Sequence, residues 1–224
     1  MSKKVLTVGE ILVEIVATTK GDGFREAQPL VGPFPSGAPA IFIDQIGRLG
    51  TPAAIISRVG DDDFGRLNLD RLIADGVDVS GIEVAKGEAT GSAFVRYRPD
   101  GSRAFVYNIA HSATGKLTLT PDAEALMESC DHMHVMGTAL SAPGLSQVAR
   151  EAVARITARG GTLSFDPNLR PEILDTPVCV RPLTRFLPRP TFSCRRARRS
   201  ISSLRRTTRP RRSRNFWTAA SATS

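Results

Sequence analysis

The chain has 224 residues, 41% of them hydrophobic, which is enough to bury one substantial core in one or two domains. No run approaches the roughly 20 apolar residues of a membrane span, and the first residues lack the apolar core of a signal peptide. These features argue against a membrane protein and favour a cytoplasmic one. The three cysteines lack CxxC spacing, so neither a disulfide framework nor a cysteine-rich zinc site is expected.

The formal charge of +8 is unevenly distributed along the chain. Residues 1–175 carry 17 basic and all 22 acidic side chains, whereas residues 176–224 carry 13 arginines, no lysine and no acidic residue. A basic tail is compatible with nucleic-acid binding, but its aromatic residues are scattered and no folded nucleic-acid motif accompanies them. The sequence therefore argues against a nucleic-acid partner.

Apolar spacing divides the first part of the chain into alternating strands and helices. A buried strand is predicted first, and the alternation of Ile11, Val13 and Ile15 is expected to prolong it. After a Gly- and Pro-rich stretch come a helix that ends at Gly50, a buried strand, and a helix that ends at Gly76. The predicted elements are a strand over residues 5–8, a helix over 40–49, a strand over 53–59 and a helix over 64–72. This order is typical of a βαβ unit.

The next part begins with a different pattern. Two extended runs flank Pro99-Asp100-Gly101-Ser102, whose Asp-Gly pair predicts a β-hairpin inside the α/β chain. Farther on, Thr120 followed by Pro121 predicts a helix N-terminus, and a regular apolar periodicity predicts a long helix. The predicted elements are strands over residues 92–98 and 104–109, a helix from 123, a strand over 132–136, a helix over 145–156 and a strand over 162–166.

A polar cluster, Asp166-Pro167-Asn168-Leu169-Arg170, follows that last strand. In doubly wound α/β sheets, ligands bind beyond the carboxyl ends of the strands. The cluster is therefore expected at a binding site, with Asp166 orienting the loop.

Several short segments, taken in order, resemble the PfkB (ribokinase-type) carbohydrate kinases. They are Val8-Gly9-Glu10-Ile11-Leu12-Val13-Glu14, Ser36-Gly37-Ala38-Pro39-Ala40, Arg48-Leu49-Gly50, Val59-Gly60-Asp61-Asp62-Asp63-Phe64-Gly65, Gly76-Val77-Asp78 and the cluster that begins at Asp166. Each segment is weak alone, but their order and spacing are specific to that family.

The resemblance implies a ribokinase-like three-layer α/β/α core with a small β-sheet lid, in which the C-terminal third is missing. The lid insertions are expected at about residues 14–35 and 92–109, the kinase part at residues 1–175, and a disordered or non-native Arg-rich tail at residues 176–224. The implied activity is ATP- and Mg²⁺-dependent transfer of the γ-phosphoryl group to a hydroxyl of a ketose or keto-sugar. The segment around Gly37 and the hairpin turn are most similar to the tagatose kinase branch, with fructokinases and 2-keto-3-deoxygluconate kinases as neighbours. A homodimer through the lid is also implied.

The resemblance places the sugar against a small set of residues. Glu14 would accept hydrogen bonds from adjacent sugar hydroxyls, and the small Gly37 and Ala38 would let the sugar approach the backbone. Asn168 and Arg170 would hold a carbonyl or phosphate oxygens. A structural alternative stays open for each. Glu14 could be a solvated acid, Gly37 and Ala38 a plain turn before a helix, and the loop of Asn168 and Arg170 a capped loop with a surface arginine.

The two lid strands and three departures from the family pattern complete the predicted site. Arg96 and Asn108 would close over the sugar, with exposed strand residues as the alternative. Glu14 stands where an aspartate is usual, Ser36 replaces the first glycine of a pair, and Ile41 replaces an asparagine. These departures put the sugar contacts of the family in doubt for this chain.

Two other clusters invite a metal interpretation. Residues 61–63 are three consecutive aspartates, but in this family the segment mainly forms a turn into a helix. Cys130, His132 and His134 alternate along a predicted strand and would share one face, yet a fourth zinc ligand is missing. Ordinary strand residues are expected there, and no metal site is predicted in either cluster.

The catalytic base of the family lies in a Gly-Ala-Gly-Asp motif at a helix N-terminus, and the 224 residues contain no such motif. No catalytic residue is therefore predicted, and this chain is expected to be inactive. Codons can be chosen for residues 179–198 that encode REALDEVLAPTDLFLPSGEE in a neighbouring frame, which resembles family sequence. We hypothesise a frameshift near residues 177–179. The alternative is a non-catalytic sugar-binding remnant whose basic tail binds nucleic acid or acidic surfaces.

Overall fold

The computed structural model describes residues 3–140 and 142–168. These residues form nine strands, four α-helices and two short 3₁₀ helices, at Thr114–Lys116 and Gly137–Leu140. The strands are β1 Val5–Val8, β2 Leu12–Ala17, β3 Leu30–Ser36, β4 Ala53–Gly60, β5 Val77–Ala85, β6 Gly91–Tyr97, β7 Arg103–Asn108, β8 His132–Met136 and β9 Thr162–Asp166. The helices are α1 Ala38–Arg48, α2 Asp63–Ala74, α3 Pro121–Glu128 and α4 Pro143–Ala158.

The strands form two sheets. The central sheet is parallel throughout and has the order β5-β4-β1-β8-β9. The chain first builds outward from β1 to β4 and β5, and then returns to the other side of β1 with β8 and β9. Strands β1 and β8 are therefore neighbours at the point where the strand order reverses, which is where open α/β sheets bind ligands.

Helices cover both faces of the central sheet. The sequence of β4 is continuously apolar because both of its faces are buried. Ile55 belongs to the apolar cluster that includes Ile43 of α1 on one face, whereas the next residue, Ile56, belongs to the cluster that includes Leu145 of α4 on the other. A parallel strand buried on both faces has no polar alternation because neither face meets water. The structure confirms the predicted three-layer α/β/α core.

The predicted hairpin is present as β6 and β7, and Gly101 in its turn has a left-handed φ of 81°. It joins β2 and β3 in a four-stranded sheet with the order β3-β2-β6-β7, which we call the lid sheet. Its outer pairs are antiparallel, and β2 and β6 run parallel. The lid sheet of the predicted fold is therefore present.

Two predicted strand patterns differ from the structure. The alternation of Ile11, Val13 and Ile15 does not prolong β1, because the chain leaves the central sheet after β1 and enters the lid sheet as β2. The edge strand β5 was not predicted, because polar residues such as Asp78 and Glu83 interrupt its apolar pattern. An edge strand needs less apolar surface than a central one, so its pattern is weaker.

The aspartates at 61–63 form the turn into α2. Asp62 is its N-cap, and its carboxylate accepts hydrogen bonds from the Gly65 amide at 2.8 Å and from the Thr90 amide and hydroxyl at 2.8 and 2.7 Å. Burial alone would raise the pKa of Asp62, but these hydrogen bonds outweigh it and lower the pKa. Asp61 and Asp63 both form ion pairs with Arg66. The cluster therefore caps a helix.

No helix within residues 3–140 or 142–168 combines the length and the apolar character needed to cross a membrane.

Candidate functional site

A cavity of about 120 Å³ lies where the carboxyl ends of β1 and β8 meet the lid sheet. The central sheet, the N-terminus of α1 and the lid strands all contribute to its wall. Its lining residues are Glu10, Leu12, Glu14, Ser36, Gly37, Ala38, Ile41, Ala93, Arg103, Phe105, Tyr107, Ile109, Thr138 and Asn168. The structure thus brings four of the predicted residues, Glu14, Gly37, Ala38 and Asn168, to one cavity.

Glu14 projects from β2 and is half-buried. The Ser36 hydroxyl donates a hydrogen bond to Glu14 Oε2 at 3.1 Å, which fixes the carboxylate beside Gly37. A carboxylate has about four acceptor sites, so one serine leaves capacity for ligand hydroxyls. The serine that replaces the usual glycine therefore has a structural role here, since it orients the acid.

Gly37 is the N-cap of α1 and has a φ of 108°, a conformation that L-residues rarely adopt. A Cβ added to Gly37 would lie 2.3 Å from the Glu10 carbonyl oxygen. Gly37 itself has no side chain to cap this helix, and the Ala38 amide of its first turn donates to the Glu10 carboxyl instead. The glycine lets the backbone of the helix start approach the β1 loop and the cavity closely.

Glu10 and Thr138 are functional candidates that sequence reasoning missed. Glu10 is only 2% exposed and Thr138 only 5%. Burial raises the pKa of Glu10 to about 7, although the Thr138 hydroxyl and the amides of Glu10 and Ala38 partly offset the rise. Apart from the contact between these two side chains, Glu10 Oε2 and Thr138 Oγ1 have no hydrogen-bond partner among the described residues. The available signal was an acid directly after an apolar run, which we assigned only to the family motif.

Asn168 follows β9 and lines the same cavity. Its φ of 35° lies in the left-handed region, which asparagine tolerates better than most residues, and its backbone N–H donates to Asp166 Oδ1 at 3.0 Å. Asp166 therefore orients the loop. Arg170, the other predicted residue of this loop, lies outside the described residues.

Arg96 and Asn108 do not line the cavity, which differs from the prediction. The Arg96 guanidinium is buried under the loop after β2, where it donates to the Gly23 carbonyl at 2.8 Å and pairs with Glu26 at 3.2 Å. Asn108 is exposed and pairs with Ser92 in the hairpin register. Both residues alternate with those that face the cavity, because successive strand side chains point to opposite faces.

The lid face that does line the cavity carries Arg103, Phe105 and Tyr107. The rings of Phe105 and Tyr107 stack at 5.0 Å, and Arg103 Cζ lies 5.2 Å from the Phe105 ring centre. Their two-residue spacing places all three on one face of β7. The sequence alone could not show whether that face or the one with Asn108 turns inward.

His132 and His134 do share one face of β8, but there both rings form hydrogen bonds with Ser164. Ser164 Oγ lies 2.8 Å from His132 Nε2 and 2.7 Å from His134 Nδ1, and the His134 ring stacks on Phe42 at 3.8 Å. Burial lowers the pKa of His134 to about 4, so this histidine is neutral at physiological pH. Cys130 lies outside β8. Among the described residues, no group of three or more His, Cys, Asp or Glu side chains is placed to hold a metal ion.

Comparison with known proteins gives a consistent result. The model of the pfkB family carbohydrate kinases matches residues 2–192, which extends past the predicted boundary at residue 175. Fructokinase-1 of Oryza sativa subsp. japonica is 35% identical over 169 residues, which are 75% of this chain and 52% of that protein. Fructokinase of Solanum tuberosum is 34% identical over 168 residues, which are 74% and 52% of the two chains.

Solved structures show the same similarity. A protein assigned as Ribokinase II from E. coli is 49% identical in its apo form, with a TM-score of 0.73 over 81% of this chain and 58% of that one. Its structure in complex with ATP and Mg²⁺ matches with 48% identity, a TM-score of 0.73 and coverage of 82% and 59%. Fructokinase from Xylella fastidiosa is 25% identical, with a TM-score of 0.66 over 77% and 53%.

The chain spans about half the length of the curated relatives it matches. The family match nevertheless covers most of the chain, and the fold and site motifs occur in the order that the family resemblance implied. The chain belongs to the pfkB family of carbohydrate kinases.

Proposed function

We propose that these residues form the sugar-binding part of an ATP-dependent ketose kinase. The single observation that carries the proposal is the Glu14 carboxylate, held by Ser36 beside the glycine-started helix α1 in the cavity at the switch point. A carboxylate with free acceptor capacity orients a polyol by accepting hydrogen bonds from its hydroxyls. Apolar and aromatic lid residues on the other side would exclude water from the bound sugar.

A ketose is the substrate class that the relatives support. The curated relatives described above carry the name fructokinase and not tagatose kinase. The similarity to tagatose kinases rests only on the segment around Gly37 and the hairpin turn of this sequence. Fructose and tagatose are both neutral six-carbon ketoses. We therefore propose a fructose- or tagatose-like substrate.

ATP with Mg²⁺ is the proposed phosphoryl donor, since an E. coli relative has been solved with both. The described residues of this chain do not form a binding site for ATP and Mg²⁺. No metal-ligating cluster is present among them, and the Gly-Ala-Gly-Asp motif is absent from the 224 residues. We assign no described residue to the nucleotide.

Substitution of Glu14 tests the sugar site. We expect Glu14→Ala to weaken fructose or tagatose binding by about 10- to 100-fold, because charge-assisted hydrogen bonds contribute about 1.5–3 kcal/mol each. Calorimetry or saturation-transfer NMR on the full 224-residue chain would measure it. Asp70→Ala, which removes an exposed acid of α2 away from the cavity, is the matched control. Equal affinity of the Glu14→Ala variant and the unsubstituted chain would contradict the proposal.

We further propose that the lid sheet pairs with a second copy of the chain. Several large apolar side chains of this sheet are exposed, including Leu30 at 45%, Phe34 at 46% and Val106 at 53%. Exposed apolar patches of this kind typically mark an interaction surface. Sedimentation velocity should show a dimer that Val106→Asp dissociates. The control is Leu49→Asp. Leu49 is also exposed, but it follows α1 beside the central sheet and away from the lid sheet, so this variant should remain a dimer.

A further inference from the structure

A second cavity, which we call the helix cavity, lies where α1 and α2 meet the end of β3. Its volume is about 290 Å³, more than twice that of the cavity that contains Glu14. Apolar side chains form most of its wall, namely Phe34, Pro35, Ala40, Ile41 and Leu72. Three polar side chains that do not line the Glu14 cavity complete it, namely Asp44, Asn68 and Arg71. The helix cavity therefore has polar groups of its own.

Two acids at the helix cavity share one guanidinium group. Arg71 Nε lies 3.5 Å from Asp44 Oδ1 and also pairs with Asp75, which follows α2. Burial raises the pKa of Asp44, and the neighbouring Asp75 carboxyl raises it further, although Arg71 partly offsets the rise. The ionised Asp44 therefore lacks a full counter-charge. A second positive charge in the cavity would stabilise it.

Asn68 adds a buried hydrogen-bond acceptor to the same wall. The residue is only 2% exposed, and its Nδ2 donates to the Phe64 carbonyl at 2.9 Å. No residue of the described chain donates to its Oδ1. Because an unpaired acceptor at a buried position is costly, Asn68 favours a ligand that donates hydrogen bonds.

We propose that the helix cavity binds a small organic ammonium ion with an apolar or aromatic body. The ammonium group donates to the Asp44 carboxylate and to the Asn68 amide oxygen, since it has three donors and no acceptor. The body of the ligand packs against Phe34 and Leu72, and the ring of Phe34 also attracts a cation through its π face. The proposal does not depend on the proposed sugar-binding function.

The charges at the helix cavity favour a cation over an anion or a neutral molecule. Asp44 and Asp75 outnumber Arg71, so a negative charge remains when all three are ionised. An anion at the cavity would compete with both acids for the Arg71 guanidinium. A neutral alcohol has one donor, so it would satisfy only one of the two acceptors.

The test is a set of binding measurements on the full 224-residue chain with phenethylammonium, 2-phenylethanol and 3-phenylpropionate. These probes share an aromatic body and differ in charge. We expect phenethylammonium to bind about tenfold more tightly than 2-phenylethanol, and 3-phenylpropionate to bind most weakly. Calorimetry or saturation-transfer NMR measures the affinities.

Asp44→Asn keeps the shape of the side chain and removes its charge. We expect it to lower the affinity for phenethylammonium to about that for 2-phenylethanol, and to leave the affinity for the alcohol unchanged. Asp70→Asn is the matched control, because it removes an exposed acid of α2 that does not line the cavity.

Phe34→Ala tests the aromatic wall separately. Phe34 is 46% exposed, so its loss leaves the core intact, and we expect about threefold weaker phenethylammonium binding. Urea unfolding checks that each variant folds. Should Asp44→Asn fail to fold, Phe34→Ala and the probe series on the unsubstituted chain still decide the result.

Four results would overturn the proposal. The first is no binding of phenethylammonium at millimolar concentration, and the second is equal binding of the ammonium and the alcohol. The third is unchanged binding by Asp44→Asn together with its loss in Glu14→Ala, which would place the cation in the Glu14 cavity. The fourth is a dimer that Asp44→Asn dissociates in sedimentation velocity, since a basic side chain of a second copy would then fill the helix cavity.

Discussion

Replacing Gly37 by alanine is expected to lower the free energy of unfolding by about 2–4 kcal/mol and to weaken sugar binding at least about tenfold. The φ of 108° strains any residue with a Cβ, and that Cβ would lie 2.3 Å from the Glu10 carbonyl oxygen. Relief of this contact must move either the start of α1 or the loop after β1. Both carry cavity residues, so stability and binding are lost together. Urea denaturation and calorimetry measure the two effects.

Gly87→Ala is a matched control for this prediction. Gly87 also has a positive φ, 76°, but a Cβ there would have no neighbour within 4 Å. Its replacement is expected to cost only about 1–2 kcal/mol, from the left-handed backbone alone, and to leave sugar binding unchanged. If Gly37→Ala and Gly87→Ala destabilised the chain equally, close packing at the start of α1 would be unimportant.

The second large effect concerns catalysis. We expect the 224-residue chain to show no measurable sugar phosphorylation, because it lacks the motif that supplies the family's general base, a group typically worth about 10²–10⁴ in rate. A coupled ATP assay with fructose, tagatose and 2-keto-3-deoxygluconate would measure it. Turnover by the purified chain at rates typical of kinases would refute the expectation.

A chain with the alternate reading frame restored near residues 177–179 provides the comparison. We expect this repaired chain to phosphorylate a ketose and to lose that activity when the aspartate of its Gly-Ala-Gly-Asp motif is replaced by asparagine. The coding DNA gives an independent test. Stop codons in the alternate frame, or the absence of Gly-Ala-Gly-Asp downstream, would eliminate the frameshift hypothesis.

Several features were determined by the sequence alone. The apolar periodicity predicted α4, and a continuous apolar run predicted β4. Helices and buried strands require different spacings of apolar residues, so both can be recognised from the sequence. The Asp-Gly turn gave the β6–β7 hairpin, and Thr120 with Pro121 gave the start of α3. These signals are local, since each depends on backbone and side-chain preferences within a few residues. Family motifs then indicated Glu14, Gly37, Ala38 and Asn168, which the structure places around one cavity.

Only the tertiary structure decided which faces turn toward that cavity. Strand alternation alone left open whether Arg96 and Asn108 face the cavity, because the packing of the lid sheet against the core determines which face is inside. Glu10 and Thr138 are 128 residues apart in sequence and become neighbours because β1 and β8 pair in parallel across the switch point. Contacts between distant segments depend on the global strand order, which no local preference encodes.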